Sequence, residues 1–548
     1  MQLSRWFRVL SLAIALSCGV ATAAVEVATP PEATALPDEA SLQAAGARIG
    51  EITLRSLQIF DLDDPEENNA LFRLANRLHA HTRESVIRAQ LLFASGDPYS
   101  ERLLQETERN LRGLVFLREP RVRATRWHDG VVDVEVVTHD VWTLQLGPSF
   151  GRSGGENHSS FTFEDKNLFG FGKTLLLSVD SNVDRNSATV EWRDPDINGS
   201  RWQDQLSWTD TSDGRVRRVS VWRPFYSLSS RYSHGLVLAD SQLTDTRYVL
   251  GDAYDSFSHA SRLMEIYSGW SRGLHGQHVQ RVTAGWRVAR DQFRAVPATR
   301  TVLPADRLLS YPYVHVDWIR DDFQTTRDLE LIERTEDVQY GLSGSATLGA
   351  ATRSTGSDRN AFLYDAKGSY GMQFGDMQQL FLSAALSGRH ERGSNVDQRI
   401  ALAAAWYWRQ TPRLLAHGRV QLARGSALDL DHYYSLGGDN GLRGYPLRYQ
   451  LGTGVTQLKL EERWFSGYSL WRLLDVGAAA FFDAGRIEGS NPLGAPRLGW
   501  LKDAGIGLRL GNSRSSLGAV FHIDVATPLN RDRGLRSLQW LVSTEASF

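Results

Sequence analysis

The feature that most constrains this chain is a change of rhythm near residue 143 that persists to its end. From there, runs alternate apolar and polar residues and are broken by polar, glycine-rich stretches. Lys173 to Val179, Ala188 to Trp192, Asp204 to Trp208, Val216 to Trp222, Gln379 to Leu386, Ile400 to Trp408 and Leu414 to Leu422 are such runs. Residues two apart share a face of a strand, so each run makes a strand with one apolar and one polar side. Some junctions are tight, as at Gln410-Thr411-Pro412. Others are long and polar, as from Arg320 to Asp337. Short connections on one side and long ones on the other are the asymmetry of outer-membrane barrels, whose strands show one face to lipid and the other to a wet lumen. The roughly 400 residues from 146 onward would make about sixteen strands of ~10 residues, at roughly 25 residues each with connections.

Composition points the same way. Among 548 residues there are 16 Trp, 17 Tyr, 22 Phe and 48 Gly but 4 Met, a balance that favours an all-β protein. A mean hydropathy of −0.33 is compatible with a membrane barrel, because only alternate residues meet lipid. A net charge of −2 gives no argument for nucleic acid. Arg5 and Arg8, the apolar run Val9 to Leu16, and Ala21-Thr22-Ala23 read as a signal peptide over 1–23. The run is too short to span a bilayer, and no later stretch holds the roughly 18 uncharged apolar residues of a membrane helix. The one cysteine, Cys18, falls inside this segment, so the mature chain has no disulfide or thiol chemistry. A lipoprotein anchored through Cys18 is the alternative, although Ala15-Leu16-Ser17 approaches it poorly. For the exported chain, the alternative to a barrel is a soluble β-sandwich.

Residues 24–48, rich in Ala, Pro and Glu, read as a linker. Residues 49–145 read as a small α/β domain. Ile49 to Leu57 alternates as a strand, and Asn69 to Ala80 carries Leu71, Leu74, Ala75 and Leu78 at helical spacing. Val86 to Phe93 is apolar and reads as a further strand. Gly96-Asp97-Pro98-Tyr99-Ser100 is a turn with a capping serine, followed by a helix with Leu103, Leu104, Thr107, Leu111 and Leu114 on one side. Val122 to Trp127 and Val131 to Val137 are strands joined by the hairpin signal His128-Asp129-Gly130.

Catalytic motifs fail on context. Gly151-Arg152-Ser153-Gly154-Gly155 fits G-x-S-x-G, but a strand follows where a nucleophile elbow needs a helix. Gly172-Lys173-Thr174 lacks the earlier glycine of a P-loop, since Asn167 stands there. The acidic run Asp61 to Glu67 lacks calcium-loop spacing. The 14 histidines show no metal-ligand spacing. No enzyme activity, metal or cofactor is expected.

Two stretches carry the most specific signal. Gly437-Gly438-Asp439-Asn440-Gly441-Leu442-Arg443-Gly444-Tyr445-Pro446 can bend tightly and delivers one permanent cation. About 40 residues on comes Phe481-Phe482-Asp483-Ala484-Gly485. At the C-terminus Trp540, Val542, Thr544, Ala546 and Phe548 share one face. Gln539, Ser543, Glu545 and Ser547 share the other, and Leu541 is out of phase.

Leu442-Arg443-Gly444-Tyr445 resembles the [VIL]-R-G-[FY] loop signature of the BamA/TamA-like outer-membrane superfamily, which includes two-partner secretion transporters. Phe481, Asp483 and Gly485 resemble its F-x-D-x-G wall motif. Asn167 to Gly172, Asp194-Pro195-Asp196 and Asp524 to Leu529 are also similar to family segments, and the terminal alternating strand ending on Phe548 resembles an outer-membrane assembly signal. The 49–145 segment resembles a polypeptide-transport-associated (POTRA) domain. Family members of the assembly and two-partner types carry several such domains; this chain has room for one, with no plug helix ahead of it.

The resemblance implies a mainly β protein: a transmembrane antiparallel barrel over 146–548, preceded by one periplasmic POTRA domain. It implies that Arg443 tucks into the lumen and pairs with Asp483. The implied function is translocation or insertion of protein at the outer membrane, with a passive channel or structural barrel as the alternative. The implied partners are outer-membrane lipid and an unfolded or exported polypeptide client, with a place for a periplasmic accessory protein. The implied seam joins 143–151 to 538–548.

Overall fold

The computed structural model describes residues 36–516, 518–530 and 535–545. The expected signal peptide, the start of the linker, Ala546 and Phe548 lie outside the described residues. Among the described residues no helix is long and apolar enough to cross a membrane.

The stretch expected as linker carries a short helix, α1 (Glu39–Ala44), capped by Asp38 and packed through buried Leu42. Next come β1 (Arg48–Leu57), α2 (Ala70–Leu78), α3 (Glu84–Arg88), α4 (Glu101–Arg112), β2 (Leu117–His128) and β3 (Val131–Asp140). β3 lies between β1, to which it is parallel, and β2, to which it is antiparallel. The alternation Val132, Val134, Val136 faces Leu104 and Leu111 of α4 across one apolar core. Two local expectations need correction. Val86 to Phe93 is not a strand but a short helix and coil. Ser100 stands at the start of α4 but makes no capping hydrogen bond. In α2 the buried residue is Phe72, stacked on Phe60 at 3.9 Å, while Leu71, Leu74 and Leu78 are exposed.

From Leu144 the chain forms a closed antiparallel barrel of twenty strands, where sixteen were expected. The undercount comes from the turns. Gly154-Gly155, Leu250-Gly251 and Gly276-Gln277 each join strands with two residues, leaving room for more strands. Gly154 and Gly155 hold φ of +55° and +87°, backbone angles that favour glycine, so the G-x-S-x-G match is the first barrel hairpin. Burial follows the alternation. In Val520–Pro528, Phe521, Ile523 and Val525 are exposed on the outside while His522, Asp524 and Ala526 are buried inside. Leu402, Val420 and Ile506 continue the apolar exterior. A closed ladder leaves no backbone edge to lipid, and an apolar exterior suits a bilayer.

Two segments fold inward. On the side away from the N-terminal unit, the 427–453 connection carries the glycine-rich loop into the lumen. On the near side, the expected polar loop Arg320 to Asp337 is instead a hairpin of strands Phe323–Arg327 and Thr335–Gln339. Its tip packs Leu329 and Ile332 against Tyr407, Leu415 and Phe465 of the wall.

Candidate functional site: a strapped seam

Barrel closure rests on one weak joint. The first barrel strand, Leu144–Ser153, and the last, Gln539–Glu545, share a single paired position among the described residues, Val542 with Arg152. The last strand pairs with its other neighbour from Gln539 to Glu545, and the first pairs with its own from Leu144 to Ser153. Outside, Phe150 stacks on Trp540 at 6.3 Å and the Arg152 guanidinium lies 4.9 Å over the same indole. Trp540 and Thr544 are exposed and Val542 is half-buried.

Inside, the glycine-rich loop crosses behind this joint. Arg443 Nε donates to Asp483 Oδ2 at 2.8 Å and Nη2 donates to Oδ1 at 3.0 Å, a two-pronged bond that fits a planar guanidinium. Its Nη1 reaches Glu461 at 3.1 Å and Asp524 at 3.4 Å. The guanidinium carbon sits 3.3 Å over the Phe481 ring. Phe481, Asp483 and Gly485 alternate along strand Leu474–Glu488, so all three face the loop. A Cβ on Gly485 would stand 3.0 Å from Leu436, and one on Gly444 would stand 2.7 Å from Asp503 Cβ. Those positions admit the loop because they are glycine. Leu442 and Tyr445 are fully buried, and the Tyr445 hydroxyl donates to Lys502 O at 3.0 Å.

The far end of the loop touches the opposite flank. Leu447 N donates to Gly154 O at 3.3 Å, and a Cβ on Gly438 would stand 2.4 Å from Gly154 Cα. The loop thus holds the strands before the joint through Asp483, Glu461 and Asp524, and the hairpin after it through Gly154. The out-of-phase Leu541 also has a place: it turns inward and packs on Phe481 and Ala526, directly beneath Arg443.

Several participants were not singled out as partners of Arg443, although Asp524 opens one of the family-like segments. Glu461, Asp503, Asp524, Arg463 and Arg509 join Arg443 and Asp483 in one enclosed cluster. Their inward position on alternating strands was readable, but not which of many inward charges would meet. A cavity of about 690 Å³ lies beside the cluster and reaches Ser153, Leu541 and Ser543 at the seam and Glu330 of the near-side hairpin.

The N-terminal unit is fastened to the rim under this same arc. His79 Nε2 and His81 Nδ1 lie 2.9 and 2.7 Å from Asp140 Oδ2, and Thr82 N donates to that oxygen at 2.9 Å. Burial pushes the Asp140 carboxyl up, but these bonds outweigh it and hold it below the usual carboxylate range. The bond to Asp140 raises His81. Burial, with Arg118 and Arg514 nearby, pushes His139 down to about 4. Asn167 Nδ2 donates to Thr82 Oγ1 at 2.8 Å, and Gln90 Nε2 donates to Asp196 at 3.2 Å, so two of the family-like turns meet this unit. Arg514 bonds Glu67. His79, His81 and Asp140, and separately Asp397, Asp429 and His432, are groupings that could hold a metal ion. The sequence signal for the first is His79-x-His81, since residues two apart in an extended segment point the same way. In the second, Arg389 already binds Asp429 at 2.8 Å.

No family model and no curated protein sequence matches this chain. Among solved structures it is similar to BamA from Haemophilus ducreyi lacking POTRA domains 1–3, at 12% identity over 90% of this chain and 84% of that one, TM-score 0.37. It is similar to CdiB from Acinetobacter baumannii at 13% identity, 91% and 73% coverage and TM-score 0.43. CdiB from Escherichia coli gives 14% identity, 90% and 76% coverage and TM-score 0.44.

Proposed function

We propose that this protein is an outer-membrane translocase or insertase whose seam opens when the Arg443 loop lets go. The observation that carries the reading is the joint itself: among the described residues it has one paired position, and it is spanned from inside by a charge-pinned loop. Separating two strands costs their ladder hydrogen bonds, and this joint has few to lose. The exposed strand edges then offer a template for a client strand. The N-terminal unit, read as a periplasmic POTRA-like domain, presents the outer strands of its sheet to an extended client under the same arc of the rim. The inward hairpin narrows the near mouth, and Glu119 of β2 accepts bonds from Thr335 N and Oγ1 at 3.2 and 3.1 Å. Movement of that unit therefore bears on the hairpin. Depletion of the protein tests the reading. At least one outer-membrane or secreted protein is expected to fall in abundance, and unchanged proteomes would refute transport.

A passive channel is the second reading. It is favoured by a lumen cavity of about 870 Å³ lined by charged side chains such as Arg281, Arg287, Asp317 and Lys367. Steady conductance in planar bilayers together with unchanged proteomes would select it.

A further inference from the structure

Helix α2 has three faces. Phe72 and Asn76 point into the protein: Phe72 stacks on Phe60, and the Asn76 side chain accepts from Phe60 N and donates to Phe60 O. Arg73 and Arg77 are exposed on a second face. Leu71, Leu74 and Leu78 form the third, at i, i+3 and i+7, with exposures of 62, 51 and 66%. Three exposed leucines in a row on one short helix cost free energy in water and need a cover.

The position of the helix indicates what covers them. Its first half packs through Phe72 and Ala75 against Leu473 of the rim turn 471–473, and the acidic loop before it binds Arg472 through Asp64 at 3.1 Å. Its C-terminal end runs into His79 to Arg83, which meets the turn 166–173 through Asn167 and Gly170. Those two turns flank the seam, so α2 lies along the barrel rim beneath it. Both turns carry exposed aromatics: Trp471 at 73% and Phe169 at 70%. Aromatic side chains at a barrel rim mark the level where hydrocarbon meets headgroups. The leucine stripe thus continues the apolar barrel exterior at its lower edge, and two arginines beside it match lipid phosphates.

We infer that α2 is an interfacial helix that seats its Leu71, Leu74 and Leu78 face in the phospholipid leaflet on the N-terminal-unit side of the barrel, directly below the seam. The inference rests on the membrane reading above. Its role would be to hold the unit at the rim below the seam. An apolar face of this size binds a membrane only weakly alone, so the covalent tie to the barrel supplies the rest.

Nitroxide spin labels test it on the full chain in vesicles of phosphatidylethanolamine and phosphatidylglycerol. In a Cys18→Ser background, labels are placed by Leu74→Cys, Arg73→Cys and, on the barrel exterior, Ile506→Cys. The 74 label is expected to be several-fold more accessible to oxygen than to a nickel chelate, as at 506, with the ratio reversed at 73. A 74 label as open to nickel as the 73 label, while 506 stays in lipid, would overturn the inference and leave the membrane reading standing. Shielding of the 74 label from both quenchers would place protein over the stripe and overturn it equally. Nickel access at 506 would overturn the membrane reading and this inference together.

Discussion

The two segments that enter the barrel differ in what pins their tips: a buried cation in one, apolar side chains in the other. The far-side loop is held by charge: Arg443 meets Asp483, Glu461 and Asp524 in an enclosed cluster. The near-side hairpin packs Leu329 and Ile332 against Tyr407, Leu415 and Phe465, and Arg463 Nη1 also donates to Leu329 O at 2.6 Å. An enclosed ion pair is strongly destabilising to break by half but adds little over an apolar contact when complete. It therefore behaves as a latch with two defined states. Apolar packing is graded and follows area. The loop touches the seam through Gly154 and the hairpin touches the N-terminal unit through Thr335, while Arg463 joins the two inserts by bonding Leu329 O and pairing with Glu461.

The sharpest way to break the contrast is to remove one charge. Arg443→Ala leaves Asp483 without its cation in the lumen and should cost about 3–5 kcal/mol, and Asp483→Ala, which leaves Arg443 only its longer contacts to Glu461 and Asp524, should cost toward the lower end of that range. The folded form should lose heat resistance on gels, and the 437–446 loop should become open to protease. The double variant should be little worse than either single one, because both remove the same interaction. Next, Ile332→Ala should cost about 2–5 kcal/mol of hairpin packing. It should raise conductance in planar bilayers while leaving the 437–446 loop protected. Leu541→Ala removes the contact between the last strand and Phe481. At about 2 kcal/mol it should speed hydrogen exchange in the last strand without freeing the loop. Smaller again, Glu119→Ala removes the bonds to Thr335, worth about 1 kcal/mol, and should loosen the hairpin alone in hydrogen exchange.

The smallest effect concerns pH. His139 titrates near 4 in the folded protein against 6.5 ordinarily, because burial disfavours its charged form. A depressed histidine contributes stability that is present above 6.5 and is lost as pH falls toward about 4. Corrected for the intrinsic pH dependence of exchange, amides of β3 should be less protected at about pH 4.5 than at about pH 7, and His139→Gln should flatten that difference. The raised His81 works in the opposite sense: its contribution is present below 6.5 and fades as pH rises above its folded value.

The latch was more legible in the sequence than the packing. Arg443 and Asp483 stand out through the resemblance of their two motifs to a known superfamily, and each motif's glycine has a reason in the close approach at Gly444 and Gly485. Glu461 and Asp524 were not legible as partners, since strand register decides which inward charges converge. Leu541 broke its strand's alternation because it follows a contact with Phe481, which no local period encodes. The leucines of α2 showed helical spacing, but spacing states only that they share a face. A rim beside lipid can take that face outward where a soluble domain would bury it. Strand number depended on turns of two residues, where length arithmetic is weakest.

The central claim is that the seam between the first and last strands opens during work. A disulfide between Arg152→Cys and Val542→Cys, in a Cys18→Ser background, closes it at the position paired among the described residues. Opposed positions in an antiparallel ladder are close enough to bridge. In cells depleted of the natural protein, the oxidised variant should fail to restore the outer-membrane and secreted proteomes, and a membrane-permeant reductant should restore them. Full restoration by a quantitatively locked barrel would contradict the account.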